Sequence, residues 1–139
     1  MTAGSVTGAR RTRPPWLPLE NVIDAVPAGR WWDTIAIDGD LGALTAEKYR
    51  AAGRPGPILC DPQGPAPRVY FFVPLGTADR WTEGDSIGLG KCCYVVLNGN
   101  LDADPQGVHW ITPPRRQHPE PLVRPRLLRT ALAEARVSL

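Results

Sequence analysis

The sequence predicts an α+β fold, a mainly antiparallel sheet with a helix after the first strand and another helix at the C-terminus. Six short β-prone runs are separated by turn chemistry. Two stretches, residues 41–52 and 126–137, repeat apolar residues at helical spacing. The 139 residues are 42 % hydrophobic and include five Trp, enough for a core, while 16 Pro and 14 Gly keep each element short.

Residues 16–26 read as a short helix or an irregular lead-in, because Pro14, Pro15, Pro18 and Pro27 leave little room for more. Residues 31–38 read as the first strand, with Trp32, Ile35 and Ile37 as β-formers, closed by Asp38-Gly39-Asp40. The helix at 41–52 has Leu41, Leu44 and Tyr49 near one face, and Gly53 with Pro55 stops it. Residues 57–60 and the run R-V-Y-F-F-V at 68–73 are strands, and the loop 61–67 makes them a hairpin. One helical turn fits 76–81. Strands follow at 86–89, 92–97 and 108–112, the last stopped by Pro113-Pro114. Leu127, Leu128, Ala131, Leu132 and Ala135 form an apolar stripe on the C-terminal helix. The resulting organisation is a flexible arm (1–15), one α+β domain (16–114), and a Pro/Arg-rich linker with a helix packed on or beside it (115–139).

Composition excludes several classes. The charge-free stretches 69–78, 92–101 and 105–114 have ten residues each, against roughly 18 for a membrane span. Residues 1–13 lack the apolar segment of a secretory signal. Three cysteines, Cys60, Cys92 and Cys93, are an odd number, so reduced thiols in a cytoplasmic protein are expected. With His109 and His118 as the two histidines, zinc spacing is absent. Charge is uneven: residues 31–114 hold six basic and ten acidic side chains, whereas 115–139 hold six arginines against two glutamates. The Arg-rich ends, Arg10, Arg11, Arg13, Arg115 and Arg116, are candidate contacts to nucleic acid or a partner, or simply solvated termini. The acidic centre opposes a broad DNA-binding face.

Three segments, I-A-I-D-G-D at 35–40, R-V-Y-F-F-V-P at 68–74 and K-C-C-Y-V-V-L-N-G at 91–99, resemble in order and spacing the N-terminal domain of bacterial bifunctional DNA primase–polymerases, of the archaeo-eukaryotic primase superfamily. The resemblance covers roughly residues 33–112 and implies a primase–polymerase-like palm. It implies metal-binding, catalytic roles for Asp38 and Asp40, with Mg²⁺ or Mn²⁺ aligning a 3′-hydroxyl and a triphosphate. If Asp38-Gly39-Asp40 lies at a strand end, alternation puts both carboxylates on one face. The alternative is a polar turn with Asp40 as helix N-cap. The family's nucleotide-contacting His falls on Arg68. Its third acid falls near Ile87, and Asp85, two residues away, would share that face on a strand. Its glycines fall on Cys92 and Cys93.

The departures at 68 and 87 favour a catalytically silent binding module for nucleotide, nucleic acid or protein, with the C-terminal helix docking a partner. An arginine at 68 is expected to form a core salt bridge, to Asp38 or Asp40, taking the charge position of a metal. The alternatives are a reduced, active nucleotidyltransferase using Asp38, Asp40 and Asp85, and an Arg-mediated nucleic-acid binder without chemistry. Lys91 in I-G-L-G-K, Arg68 and His109 are candidate nucleotide or phosphate contacts. Lys91 leads into a strand, which opposes phosphate cradling at a helix N-terminus. Most of the tryptophans suit the core better than base stacking.

Overall fold

The computed structural model describes residues 13–115 and 121–139. The flexible arm expected at 1–15 lies mostly outside these residues, as do Arg10, Arg11, Arg116 and His118. The strands are β1 (Ile23–Pro27), β2 (Asp33–Asp38), β3 (Ile58–Asp61), β4 (Arg68–Val73), β5 (Ile87–Leu89), β6 (Tyr94–Asn98) and β7 (His109–Thr112). The helices are α1 (Gly39–Ala51), α2 (Thr77–Arg80) and α3 (Pro125–Ser138). The α+β architecture is as the sequence predicts. Five strands form one antiparallel sheet in the order β5-β2-β4-β3-β7, and β1 pairs with β6 in a separate ribbon.

β2 and β3 are both antiparallel to β4, so they run the same way and are joined through α1. This is a split β-α-β unit with β4 inserted. The sheet is covered on both faces. Ile35, Ile37, Ile58, Val69, Phe71 and Val73 pack towards the helices, with Tyr49, Leu128 and Leu132. Leu59, Phe72 and Trp110 pack on the other side, with Trp16, Val26, Trp32, Val95 and Leu97. Because both faces are buried, β2 and β4 read as continuous apolar runs rather than alternating ones.

Three local expectations are corrected. Residues 16–26 do not form a helix: they turn and then enter β1. Its inward positions, opposite Leu97 and Val95, are Asp24 and Val26, so no apolar alternation marks it. The runs at 86–89 and 92–97 are shorter than expected and belong to different sheets. Cys92 sits in a turn at φ 72°, not on a strand. All three cysteines are free, with Cys92 exposed.

The stripe expected to dock a partner is turned inward. Leu128, Ala131, Leu132 and Ala135 of α3 are all buried, and the first three belong to the core beneath α1. Pro125 opens the helix, where a missing N–H costs nothing. The buried Tyr49 hydroxyl ties the two helices: it donates to the Pro55 carbonyl at 2.7 Å and accepts from the Arg124 amide at 3.0 Å. No helix among the described residues is long and apolar enough to cross a membrane.

Candidate functional site

The resemblance centres on the corner where β2 meets α1. Asp38 is the last residue of β2 and lies opposite Arg68, the first of β4. Directly opposed residues of an antiparallel pair project to the same face. The guanidinium therefore meets the carboxylate twice, Nε to Oδ1 at 2.6 Å and Nη2 to Oδ2 at 3.1 Å. These bonds hold the Asp38 carboxyl below its ordinary range, against the opposing effect of partial burial. Asp61 faces Arg68 from β3, and Tyr70 lies two residues along the same face. Burial raises the Tyr70 phenol, with Arg68 pulling it the other way. The expected pairing of Arg68 with Asp38 is present, but at the surface rather than in the core, with side chains 34 % and 54 % exposed.

The two carboxylates of Asp-x-Asp do not share a strand. Gly39, at φ 67°, swings the chain off β2, and its N–H is fixed by the Pro67 carbonyl at 2.7 Å. Asp38 is the helix N-cap, without a side-chain capping bond, and Asp40 belongs to the first turn of α1. The expectation of Asp40 as N-cap is corrected accordingly. Asp40 is exposed, near the positive end of the helix dipole.

Asp85 lies in the turn before β5 rather than on the strand, so face-sharing with position 87 does not apply. Its oxygens are taken by Arg136 of α3, at 2.7 and 2.8 Å, and Arg136 also binds Glu83 at 2.8 Å. Arg129 stacks over Trp81, 4.9 Å from the ring centroid. These contacts latch α3 to the 81–86 turn. The register places His109 beside Cys60, in the row with Val69 and Ile37 that faces the helices. Asp38, Arg68 and Asp61 form the next row, facing the other way. His109 Nδ1 bonds the Gly107 carbonyl at 2.8 Å.

Lys91 is exposed at the rim of a cleft of about 590 Å³ whose floor includes Asp33 and Gly90. Asp33 is a residue that sequence reasoning missed. It is 3 % exposed, and its Oδ2 accepts the amides of Gly76 at 2.9 Å and Ala78 at 3.0 Å. That carboxylate anchors α2 to the sheet. The signal was a lone acid at the head of a buried apolar strand. Arg13 donates to the carbonyls of Pro18 and Gly99, clamping the lead-in onto the end of β6. Arg115 is exposed.

The donors do not fit a pair of divalent cations. Asp38 is held by Arg68 and Asp85 by Arg136, and among the described residues no three Cys, His, Asp or Glu side chains group to hold a metal ion. Comparison with protein-family models, curated proteins and solved structures finds no match for this chain.

The two paired aspartates define a pH dependence. Asp38 and Asp85 both have folded-state pKa values below the ordinary 3.8. The unfolded chain then binds more protons in acid, so stability rises with pH through this range. The contribution is present above the unfolded value and is lost as pH falls through the folded one. Both aspartates are well exposed, at 54 % and 37 % of the side chain, so solvent limits each pair to about 1 kcal/mol or less. In thermal melts from pH 7 to pH 2.5, Arg136→Gln is expected to start slightly lower and to fall less steeply below about pH 4. Parallel wild-type and variant curves would refute the latch.

Proposed function

We propose that this protein is a primase–polymerase-like scaffold that has become a catalytically silent binding module. The observation that carries the reading is the two-point bond from Arg68 to Asp38. Two-metal phosphoryl transfer needs carboxylate oxygens facing cations. Here a fixed guanidinium takes both oxygens of the strand-end carboxylate, and the cation position is filled by protein charge. The split β-α-β unit, with its acid at the β2–α1 corner, supports the kinship.

A protein ligand is the reading favoured by the outer face of the β1–β6 ribbon. Ile23, Tyr94 and Val96 are exposed there, with Leu19 and Val22 nearby. A grouped apolar surface on a folded chain points to contact with another protein. Binding of nucleic acid through the terminal arginines draws less support, because Arg13 is engaged with backbone carbonyls.

The test is a thermal shift with a nucleoside triphosphate and Mn²⁺ on wild type, Asp38→Asn and Arg68→His. A ligand at about 100 times its dissociation constant adds roughly 2.7 kcal/mol, which such a melt resolves. No metal-dependent shift is expected in wild type or Asp38→Asn. A wild-type shift that disappears in Asp38→Asn would overturn the silent reading and establish a nucleotidyltransferase-like site. Arg68→His restores the residue that the resemblance places there. A shift confined to that variant would identify Arg68 as the block.

A further inference from the structure

Asp33 and Asp38 stand at opposite ends of β2, so a second carboxylate lies well away from the Asp38 corner. Asp33 belongs to the floor of the cleft of about 590 Å³ beside Lys91. The lining comes from three described stretches: residues 29–33, 75–79 and 88–93. The two oxygens of Asp33 differ. Oδ2 accepts the amides of Gly76 and Ala78. Oδ1 accepts no hydrogen bond from a described residue. Three buried side-chain atoms among the described residues are sealed from solvent without a partner, Trp32 Nε1, Thr34 Oγ1 and Thr112 Oγ1, and Asp33 Oδ1 is not one of them. The 3 % of its surface that Asp33 keeps therefore includes Oδ1. A Cβ added to Gly90 would stand 3.6 Å from this oxygen, so Oδ1 faces the bare glycine backbone of the cleft. A carboxylate oxygen this buried, with no donor from the protein, calls for a reason.

We propose that this cleft binds the primary ammonium group of a small amine or amino acid, held by Asp33 Oδ1. A charged acceptor makes its strongest hydrogen bond to a charged donor. Because Oδ2 is occupied by two amides, the carboxylate offers a single acceptor point. That matches the ammonium, a compact point charge, and not the two-pronged guanidinium fork. Asp79 at the rim adds a second negative charge. Glycine at 29, 76, 88 and 90 leaves the backbone bare, which lets a ligand approach closely. Leu75, Ala78 and Cys93 offer apolar surface to its carbon chain. The volume lies within the roughly 300–1,000 Å³ of small-molecule sites. Lys91 is exposed and forms no ion pair or hydrogen bond with a described residue, so it leaves Asp33 unpaired and is open to a carboxylate at the ligand's far end.

The experiment is a titration of the whole protein with n-butylamine at neutral pH, followed by amide NMR at constant ionic strength. Saturable shifts are expected at Gly76, Ala78, Gly88 and Gly90. Butanol, which lacks the charge, and tetramethylammonium, which lacks the N–H donor, are each expected to bind about tenfold more weakly or less tightly still. Asp33→Asn keeps an oxygen for the Gly76 and Ala78 amides and turns an NH₂ group towards the cleft. It is expected to weaken butylamine binding at least about tenfold with little change in melting temperature. Gly90→Ala keeps the carboxylate and covers it. The added methyl makes ordinary contacts, 3.4 Å to the Ala78 Cβ and 3.6 Å to Oδ1, so the fold tolerates it while the approach to Oδ1 closes. If Asp33→Asn does not fold, Gly90→Ala decides alone. The compound 4-aminobutyrate separates the two sources. Binding tighter than butylamine, with the gain lost in Lys91→Gln, assigns the site to an amino acid, and equal or weaker binding assigns it to a simple amine. Shifts that do not saturate, that map elsewhere, that tetramethylammonium reproduces at the same concentration, or that persist unchanged in Gly90→Ala or a folded Asp33→Asn would overturn the site.

Discussion

Phe72→Ala is expected to destabilise the fold by about 3–5 kcal/mol, the range for emptying a large aromatic from a core. Phe72 is fully buried and stands at the centre of an aromatic cluster. Trp32 meets it edge-on with centroids 4.5 Å apart, Trp16 stacks on it at 5.8 Å, and Trp110 tilts across it at 5.4 Å. These contacts come from separate parts of the chain: the lead-in, the approach to β2, and β7. Truncation at this point leaves a void between rigid rings that cannot close over it, so the cavity cost adds to the lost transfer energy. Set against a total stability of about 5–15 kcal/mol for an ordinary domain, the loss is a large fraction. Urea denaturation followed by tryptophan fluorescence measures it. Tyr94→Ala, at a side chain 66 % exposed, should change stability by less than about 0.5 kcal/mol. Similar losses in the two variants would mean that the aromatic cluster is not the organising core on that face.

How much of this was legible in the sequence follows from where each pattern is made. β4 was legible to the residue, because both its faces are buried and every position is a β-former except the arginine that begins it. α3 was legible because its inner stripe must repeat every three to four residues to meet α1 and the sheet. The same stripe was misread as a docking face, since a period says that a face is buried but not against what. β1 was hidden because its inner face contributes Asp24 and Val26 and its outer face carries Ile23 and Ala25, so hydrophobicity does not alternate in step with burial. The ion pair between Asp38 and Arg68, thirty residues apart, was foreseeable only through the resemblance, which sets an arginine where the family has a nucleotide-contacting His. The antiparallel register then fixed it. Asp40 and Asp85 misled for one shared reason: strand periodicity was extended past the strand's end, to a glycine corner in one case and to a turn in the other. Asp33 left only the faint trace of a lone acid at the head of a buried strand, because the amides it accepts come from a distant turn.

Gly42→Ala tests the corner by setting two known effects against each other. Alanine in place of glycine inside a helix is ordinarily worth close to 1 kcal/mol of added stability. Gly42 is buried in the first half of α1, and the space around it decides otherwise. A Cβ there would stand 2.2 Å from the Ile37 carbonyl oxygen, 3.0 Å from its carbonyl carbon and 3.3 Å from a Val69 methyl. The first two are backbone atoms of β2, held in the ladder to β4, and cannot yield alone. The helix must lift off the sheet instead, with an overpacking cost of 1–3 kcal/mol or somewhat more. A clash with backbone rather than with a side chain puts the cost at the upper end, about 3 kcal/mol, so after the helix-propensity gain a net loss of about 2 kcal/mol is expected. Gly39→Ala provides the contrast. Nothing lies within 4 Å of its Cβ position, and only the left-handed φ of 67° opposes the change, a cost of about 1–2 kcal/mol. The two variants also separate the halves of the corner. Lifting α1 moves Asp40, while the Asp38–Arg68 pair is set by strand register and should survive. The acid branch of the pH–stability curve in Gly42→Ala should then keep its wild-type slope while the whole curve drops. A neutral or stabilising Gly42→Ala would mean that α1 does not sit this close to β2. A flattened acid branch would mean that Asp38 depends on the helix for its partner.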